Sequence, residues 1–367
     1  MFISPSSLPT SHPDAILIRR RMAKGLRLFA LLAVASGVAV IALTAGRQTL
    51  SGLAGVRWHW LLATTALWLV AALVDGGRLA VLSRAGEHPL TLGRSVSVIY
   101  IGYFMAAVTP FQVGGLPLQL YFMNGWGANP GRASAMLLIR GALFYGVLFA
   151  AAPLVAAILG PQTGLLKALG MYVVLTLAFA GLVILATIAF RDRLAAWSGR
   201  LGRSQRPTRL RRLLAWLFVQ LEGLGAGLRT YLRRDKLKYL VSATALTAVF
   251  MAAVFSMSAT LLCGLGVSTN AFKTMGLDLL LCSVTLFVPT PGATGVAEAG
   301  AAGLFTMVCP KYLLGPYILL WRLFSFYLGA IVGGFLTLRH LPARRNLTFA
   351  AGTEVRTPAA ALGGDPR

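Results

Sequence analysis

The sequence is poor in acid, in histidine and in cysteine. Ten Asp and Glu and four His are spread over 367 residues. The three cysteines (Cys263, Cys282, Cys309) stand in apolar surroundings with no CxxC spacing, which reads as packing rather than a disulfide framework or a metal site. The histidines (His12, His59, His88, His340) are scattered, and there is no HExxH. Glu298 and Asp278 are the deep acids, so a membrane-embedded enzyme would lack the paired carboxylates, Cys–His pair or metal ligands it needs. No catalytic residue, metal or cofactor is expected. Charge of any kind is scarce, at 12% against 57% hydrophobic residues, far more apolar surface than a soluble domain uses. Alternating strands are missing too, which excludes a membrane β-barrel.

Apolar runs of the length a bilayer demands, about 18 residues or more, are what the chain has in abundance. They predict an all-α polytopic membrane protein with about six full transmembrane helices: Leu26–Ala45, Trp60–Leu82, Ala133–Leu159, Leu165–Phe190, Tyr239–Leu265 and Tyr312–Leu338. Net charge is +24. The Lys and Arg cluster between the runs, so positive-inside topology and anionic headgroups explain them better than nucleic acid does. Residues 1–25 read as a cytoplasmic tail ahead of a retained first helix, 26–340 as the membrane domain, and 341–367 as a disordered cytoplasmic tail. The loop Arg191–Lys238 carries a net +10. Within it, apolar residues recur on one helical face over 209–232. That predicts a helix lying in the cytoplasmic interface, or a short coiled coil with a partner. Asp75 and Arg78, at i and i+3, are expected to pair close to an interface.

Two apolar segments are interrupted. Ser95–Met123 holds Thr109, Pro110, Gly114, Gly115 and Pro117, and Gly276–Val308 holds Pro289, Pro291, Gly292, Gly295 and Glu298. Proline removes a donor and clashes with the preceding turn. Irregular backbone at membrane depth survives only where protein covers it or it lines a wet cavity. Both segments therefore predict broken helices. A cytoplasmic N-terminus places the +10 loop inside only if 95–123 is a re-entrant hairpin. The segment 276–308 is either a hairpin or two short crossings. Thr109-Pro110-x-x-x-Gly114 matches Thr290-Pro291-x-x-x-Gly295, and an arginine follows each proline, by 30 residues at Arg140 and by 31 at Arg322. Halves of about 60–190 and 239–338 thus form an inverted repeat, the layout of many secondary transporters, with the substrate site where the breaks meet. Gly329 and Gly333, a GxxxG beyond Arg322, favour close helix packing on nearly the same face as that arginine.

These residues resemble the flippase-like integral membrane family, the lysylphosphatidylglycerol synthase transmembrane region, over roughly 26–340. Pro289-x-Pro291-Gly292-x-x-Gly295-x-x-Glu298 fits the second family motif closely. Thr109-Pro110 with Gly114-Gly115, Pro117, Gln119 and Tyr121 looks like a variant of the first, with Leu116 and Pro117 where many members carry glutamate. Ile139 stands where relatives often have an acid before the first arginine. The resemblance is to a membrane half thought to translocate lipid, without the aminoacyltransferase domain, so no synthase activity is expected. It implies flipping of a phospholipid or lipid-linked anionic substrate across a bacterial inner membrane, with both termini cytoplasmic. Arg140 and Arg322 would bind phosphate, Glu298 would balance them, and Gln112, Gln119, Thr109 and Thr294 would add uncharged hydrogen bonds. Two alternatives stand beside this. In one, Glu298 and an arginine form a buried ion pair that only locks the fold. In the other, the protein is an accessory scaffold for a separate lipid-synthesis enzyme. Asp278 and Lys273 hint at proton or ion coupling.

Overall fold

The structure, a computed structural model, describes residues 55–86, 89–109, 112, 114–159, 171, 231, 233–286 and 288–340. The expected spans Leu26–Ala45 and Leu165–Phe190, both tails, Pro110 and all of the interfacial segment 209–232 except Tyr231 lie outside the described residues. Those described contain helices and no strands, as an all-α membrane protein must, because a helix satisfies its own backbone in hydrocarbon.

Four helices are long and apolar enough to cross a membrane: α1 (Trp58–Ala85), α4 (Pro130–Leu159), α5 (Leu237–Gly264) and α8 (Lys311–His340). Between them lie two pairs of shorter helices. These are α2 (Leu92–Val108) with α3 (Gly115–Gly125), and α6 (Ala271–Thr285) with α7 (Val296–Phe305). Their lengths of 17, 11, 15 and 10 residues fall short of the roughly 20 a full span requires. The interruptions therefore fall where the prolines and glycines predict them.

Each pair folds back on itself. Gly115 lies on the Gly102 carbonyl, and Gln119, four residues on, donates to the Val98 carbonyl, four residues earlier, at 3.1 Å. That register is antiparallel. In the second pair Gly300 of α7 packs on Leu281 of α6, each about ten residues from Pro291 by count along the chain.

The two halves interlock. Helix α1 runs antiparallel along α5: Arg57 N–H donates to Gly264 O at one end (2.9 Å), Thr64 and Thr260 hydroxyls meet midway (2.9 Å), and Lys236 Nζ donates to Ala85 O at the other (2.7 Å). The helix after each break packs on the helix before the other one, α8 on α2 and α4 on α6. Glycines permit both approaches. A Cβ on Gly333 would run into the Tyr100 carbonyl, and one on Gly276 would sit 2.8 Å from Val155.

The GxxxG reading needs one correction. Gly329 and Gly333 do pack closely, but against Tyr103 and Tyr100 of α2, whereas Arg322 faces the second break. Between them Leu323–Tyr327 forms a π turn, with Leu328 N–H bonded to Leu323 O. Its extra residue turns the rest of the helix by about 100°, so the arginine and the glycines do not share a face.

The ends of the bundle differ in charge. Arg84, Arg94, Arg132, Lys236 and Arg339 gather at the end where α1, α3 and α8 finish and α2, α4 and α5 begin. The opposite end has Arg57, Lys273 and Lys311.

Candidate functional site: paired helix breaks around a charged cavity

The two breaks share one backbone design. In each, the threonine carbonyl accepts from the residue three positions on: Gln112 N–H to Thr109 O (3.2 Å) and Ala293 N–H to Thr290 O (3.0 Å). That acceptor-facing residue is left-handed in both, with φ 57° at Gln112 and 55° at Ala293. Non-glycine residues rarely adopt this conformation, and it collects at functional sites. The repeat inferred from three matching residues in a six-residue window thus extends to dihedral angles and hydrogen bonds.

They differ in how the second helix is started. In the first break Thr109 Oγ1 donates to Met105 O (2.7 Å) and accepts from Gly114 N–H (3.0 Å). Pro117, in the opening turn of α3, needs no acceptor for a backbone N–H. In the second break the matching donor, Gly295 N–H, is taken by Glu298 Oε2 at 2.7 Å, a carboxylate reaching back from the third helical position. Its other oxygen accepts from Arg322 Nε at 2.8 Å, and Arg322 Nη2 donates to Gly292 O at 3.0 Å. The guanidinium also lies 4.7 Å from the Phe326 ring centroid. That ring fills the space a Cβ on Gly292 would occupy, and Gly292 has φ 61°. Thr294 Oγ1 donates to Pro291 O (2.8 Å), and Thr290 Oγ1 to Thr294 O (3.0 Å). Pro289 lies beside buried Val288 just ahead of the turn. Glu298 and Arg322 are both buried, so this is a sealed ion pair holding the second break shut around the carbonyl of Gly292.

The first half is arranged otherwise. A cavity of about 320 Å³ opens between α1, α2, α4, α5, α6 and α8. Its polar wall centres on Asp75. One carboxylate oxygen accepts from Arg78 Nη1 (2.8 Å) and Arg140 Nε (3.1 Å). The other accepts from Tyr103 Oη (2.6 Å) and Arg140 Nη2. Arg78 Nη2 donates onward to the Arg140 carbonyl at 3.1 Å, and its guanidinium lies 5.2 Å from the Phe250 ring centroid. Asp75 and Arg78 are 1% exposed, while the Arg140 side chain keeps 15%. Two guanidiniums therefore meet one carboxylate, and among the described residues no other Asp or Glu lines the cavity. One positive charge is left over inside an otherwise aromatic and aliphatic chamber.

Of the residues read from sequence, Arg140 and Gln112 line this cavity. Thr109, Gly114, Gly115, Pro117 and Gln119 build the first hairpin beside it. Arg322, Glu298, Gly292, Gly295, Pro291 and Thr294 form the second break, behind Phe324–Phe326 of the cavity wall. Asp75 and Arg78 do pair, both are buried inside the bundle, and Asp75 supplies the balancing charge that Ile139 does not. Local spacing showed the i, i+3 contact and gave no sign of the partner 65 residues away.

Residues 28–333 match the family described as the lysylphosphatidylglycerol synthase TM region. The chain is also similar to a UPF0104 membrane protein of Archaeoglobus fulgidus, 24% identical over 302 residues that cover 76% of this chain and 86% of the relative. With the paired breaks, the arginine after each and a match running through both halves, the chain belongs to the lysylphosphatidylglycerol synthase TM region family.

Proposed function

We propose that the protein moves a phospholipid or a lipid-linked anionic substrate from one leaflet to the other through the Asp75–Arg140 cavity. The observation that carries this reading is the charge count. A buried carboxylate bonded to two guanidiniums leaves one positive charge unbalanced at depth. Buried charge is retained in a membrane where it has work to do. Guanidinium matches phosphate in geometry and is weakly hydrated, and Arg140 is the member of the cluster with an exposed edge. Gln112 and Tyr145 supply uncharged polar groups on the same wall. The Glu298–Arg322 pair balances its own charge and serves as the fixed counterpart of this site. Arg322 takes up a phosphate only in a state where the second break opens.

The positive-inside rule places the arginine-rich end of the bundle, and with it the end of α8, in the cytoplasm. The α2–α3 hairpin is then re-entrant from the cytoplasmic side, and α6–α7 from the opposite side of the inner membrane. The closing experiment is translocation of labelled phosphatidylglycerol and phosphatidic acid in proteoliposomes, with phosphatidylcholine as the uncharged-net control. Arg140→Gln leaves Asp75 paired with Arg78, so it folds. Loss of one charged hydrogen-bonding partner, about 1.5–3 kcal/mol, slows anionic lipid roughly ten- to a hundredfold. Equal rates in wild type and folded Arg140→Gln, or a wild type that moves none of these lipids, would refute the reading.

A further inference from the structure

A second acid lies at depth with no cation beside it among the described residues. Asp278, in the middle of α6, is 5% exposed. Its Oδ1 accepts from Trp321 Nε1 of α8 at 3.1 Å. The Ser258 hydroxyl of α5 stands near the same carboxyl and donates to the Phe255 carbonyl at 2.6 Å. The third neighbour is the Tyr317 hydroxyl, which is fully buried and has no hydrogen-bond partner among the described residues.

The titratable groups that face Asp278 are neutral ones: Tyr317 of α8, with Cys309 just before that helix, and Cys282 one turn along α6. Tyr145 of α4 stands beyond Cys282. The nearby charged groups are turned elsewhere, Arg322 to Glu298, which on α7 also caps Gly295, and Arg140 to Asp75.

The two cysteines near this cluster line separate openings. Cys309 lines a polar depression with Ser268, Asn270, Lys273 and Thr306 at the arginine-poor end of the bundle. Cys282 lines the Asp75–Arg140 cavity. Between them stand Tyr317 and Asp278.

We propose that Asp278 is the proton-coupling site of this protein, loading a proton from the depression at the arginine-poor end and releasing it toward the central cavity as substrate moves. This rests on the transport reading above. The ligand is a proton rather than a sodium ion. A sodium site needs about six converging oxygens, whereas an indole N–H already points at this carboxylate and only the Ser258 and Tyr317 hydroxyls stand beside it among the described residues.

The test uses the full chain in proteoliposomes with imposed proton or sodium gradients. With one proton carried per lipid, each unit of pH gradient sustains up to about a tenfold lipid asymmetry. Wild type should build that asymmetry under the proton gradient alone. Asp278→Asn should only equilibrate lipid, and Asp278→Glu should recover coupling. Accumulation that survives in Asp278→Asn, that ignores the proton gradient, or that follows sodium overturns the coupling site and leaves lipid transport standing. If wild type moves no lipid in any condition, the transport reading fails, and infrared spectroscopy of the reconstituted protein decides the site by itself. A protonated-carboxyl band present in wild type and lost in Asp278→Asn supports it, and a wild type without that band overturns it.

Discussion

Replacing Asp75 with Asn should cost more than any other single polar change in the first half. The carboxylate accepts four hydrogen bonds, three of them from guanidinium nitrogens. The substitution removes the only negative charge that the described residues bring to the cavity wall and leaves Arg78 and Arg140 facing each other. Breaking a buried pair from one side costs about 3–5 kcal/mol, because the remaining charge is uncompensated. Arg140→Gln by itself should cost less, since Asp75 keeps Arg78. In the double variant Asp75→Asn/Arg140→Gln the stranded charge is relieved, so the two effects should fall short of additivity by about 1.5–3 kcal/mol. An anion should partly substitute for the missing carboxylate. At a hundred times its dissociation constant, an anionic lipid adds about 2.7 kcal/mol to any state that binds it, and the more positive Asp75→Asn site should gain more than wild type. The assay is thermal unfolding of the purified chain in detergent for the four proteins of the cycle, with and without phosphatidylglycerol. Stability of Asp75→Asn within about 0.5 kcal/mol of wild type, the range of an ordinary surface change, would refute the buried three-charge cluster. So would strict additivity.

Arg322→Lys keeps the charge but not the fork that bonds Glu298 and Gly292 O together. It should lower stability by about 1.5–3 kcal/mol, read by the same melt. Gly292→Ala places a Cβ in the Phe326 ring at a left-handed position, and overpacking with strain should cost about 2–4 kcal/mol. Gln112→Gly relieves a left-handed side chain while removing a polar group from the cavity wall. It should leave stability unchanged or raise it by about 1 kcal/mol, yet slow anionic lipid movement in the proteoliposome assay. Gly333→Val should separate α8 from Tyr100 of α2, measurable as weaker disulfide trapping between cysteines placed at Phe104 and Gly334.

The breaks were legible because proline and glycine act locally, and their repetition with matching arginines carried the architecture with them. The identity of Arg322's partner was half legible: Glu298 was in view, but only the fold decides that it reaches back to Gly295 and across to Arg322 rather than Arg140. The bond from Asp75 to Arg140 was not legible because an i, i+3 pair looks complete on its own helix, and nothing in spacing reports a bond to α4. The shared left-handed residues at Gln112 and Ala293 leave no mark in sequence, since neither residue type demands that conformation. The face of the GxxxG was misjudged because counting assumes 3.6 residues per turn throughout, and α8 departs from that for one turn.

That departure has a consequence for what sequence change α8 can absorb. Losing one residue from an ordinary helix swings everything beyond it by about 100°, and in α8 that would turn either Arg322 away from the second break or Gly333 away from α2. Within Leu323–Tyr327 the same loss would collapse the π turn to an α turn, leaving the two ends of the helix facing as they do now. Length variation of a single residue is therefore tolerable in this helix at that one place, and homologues lacking the extra residue should still present both contacts.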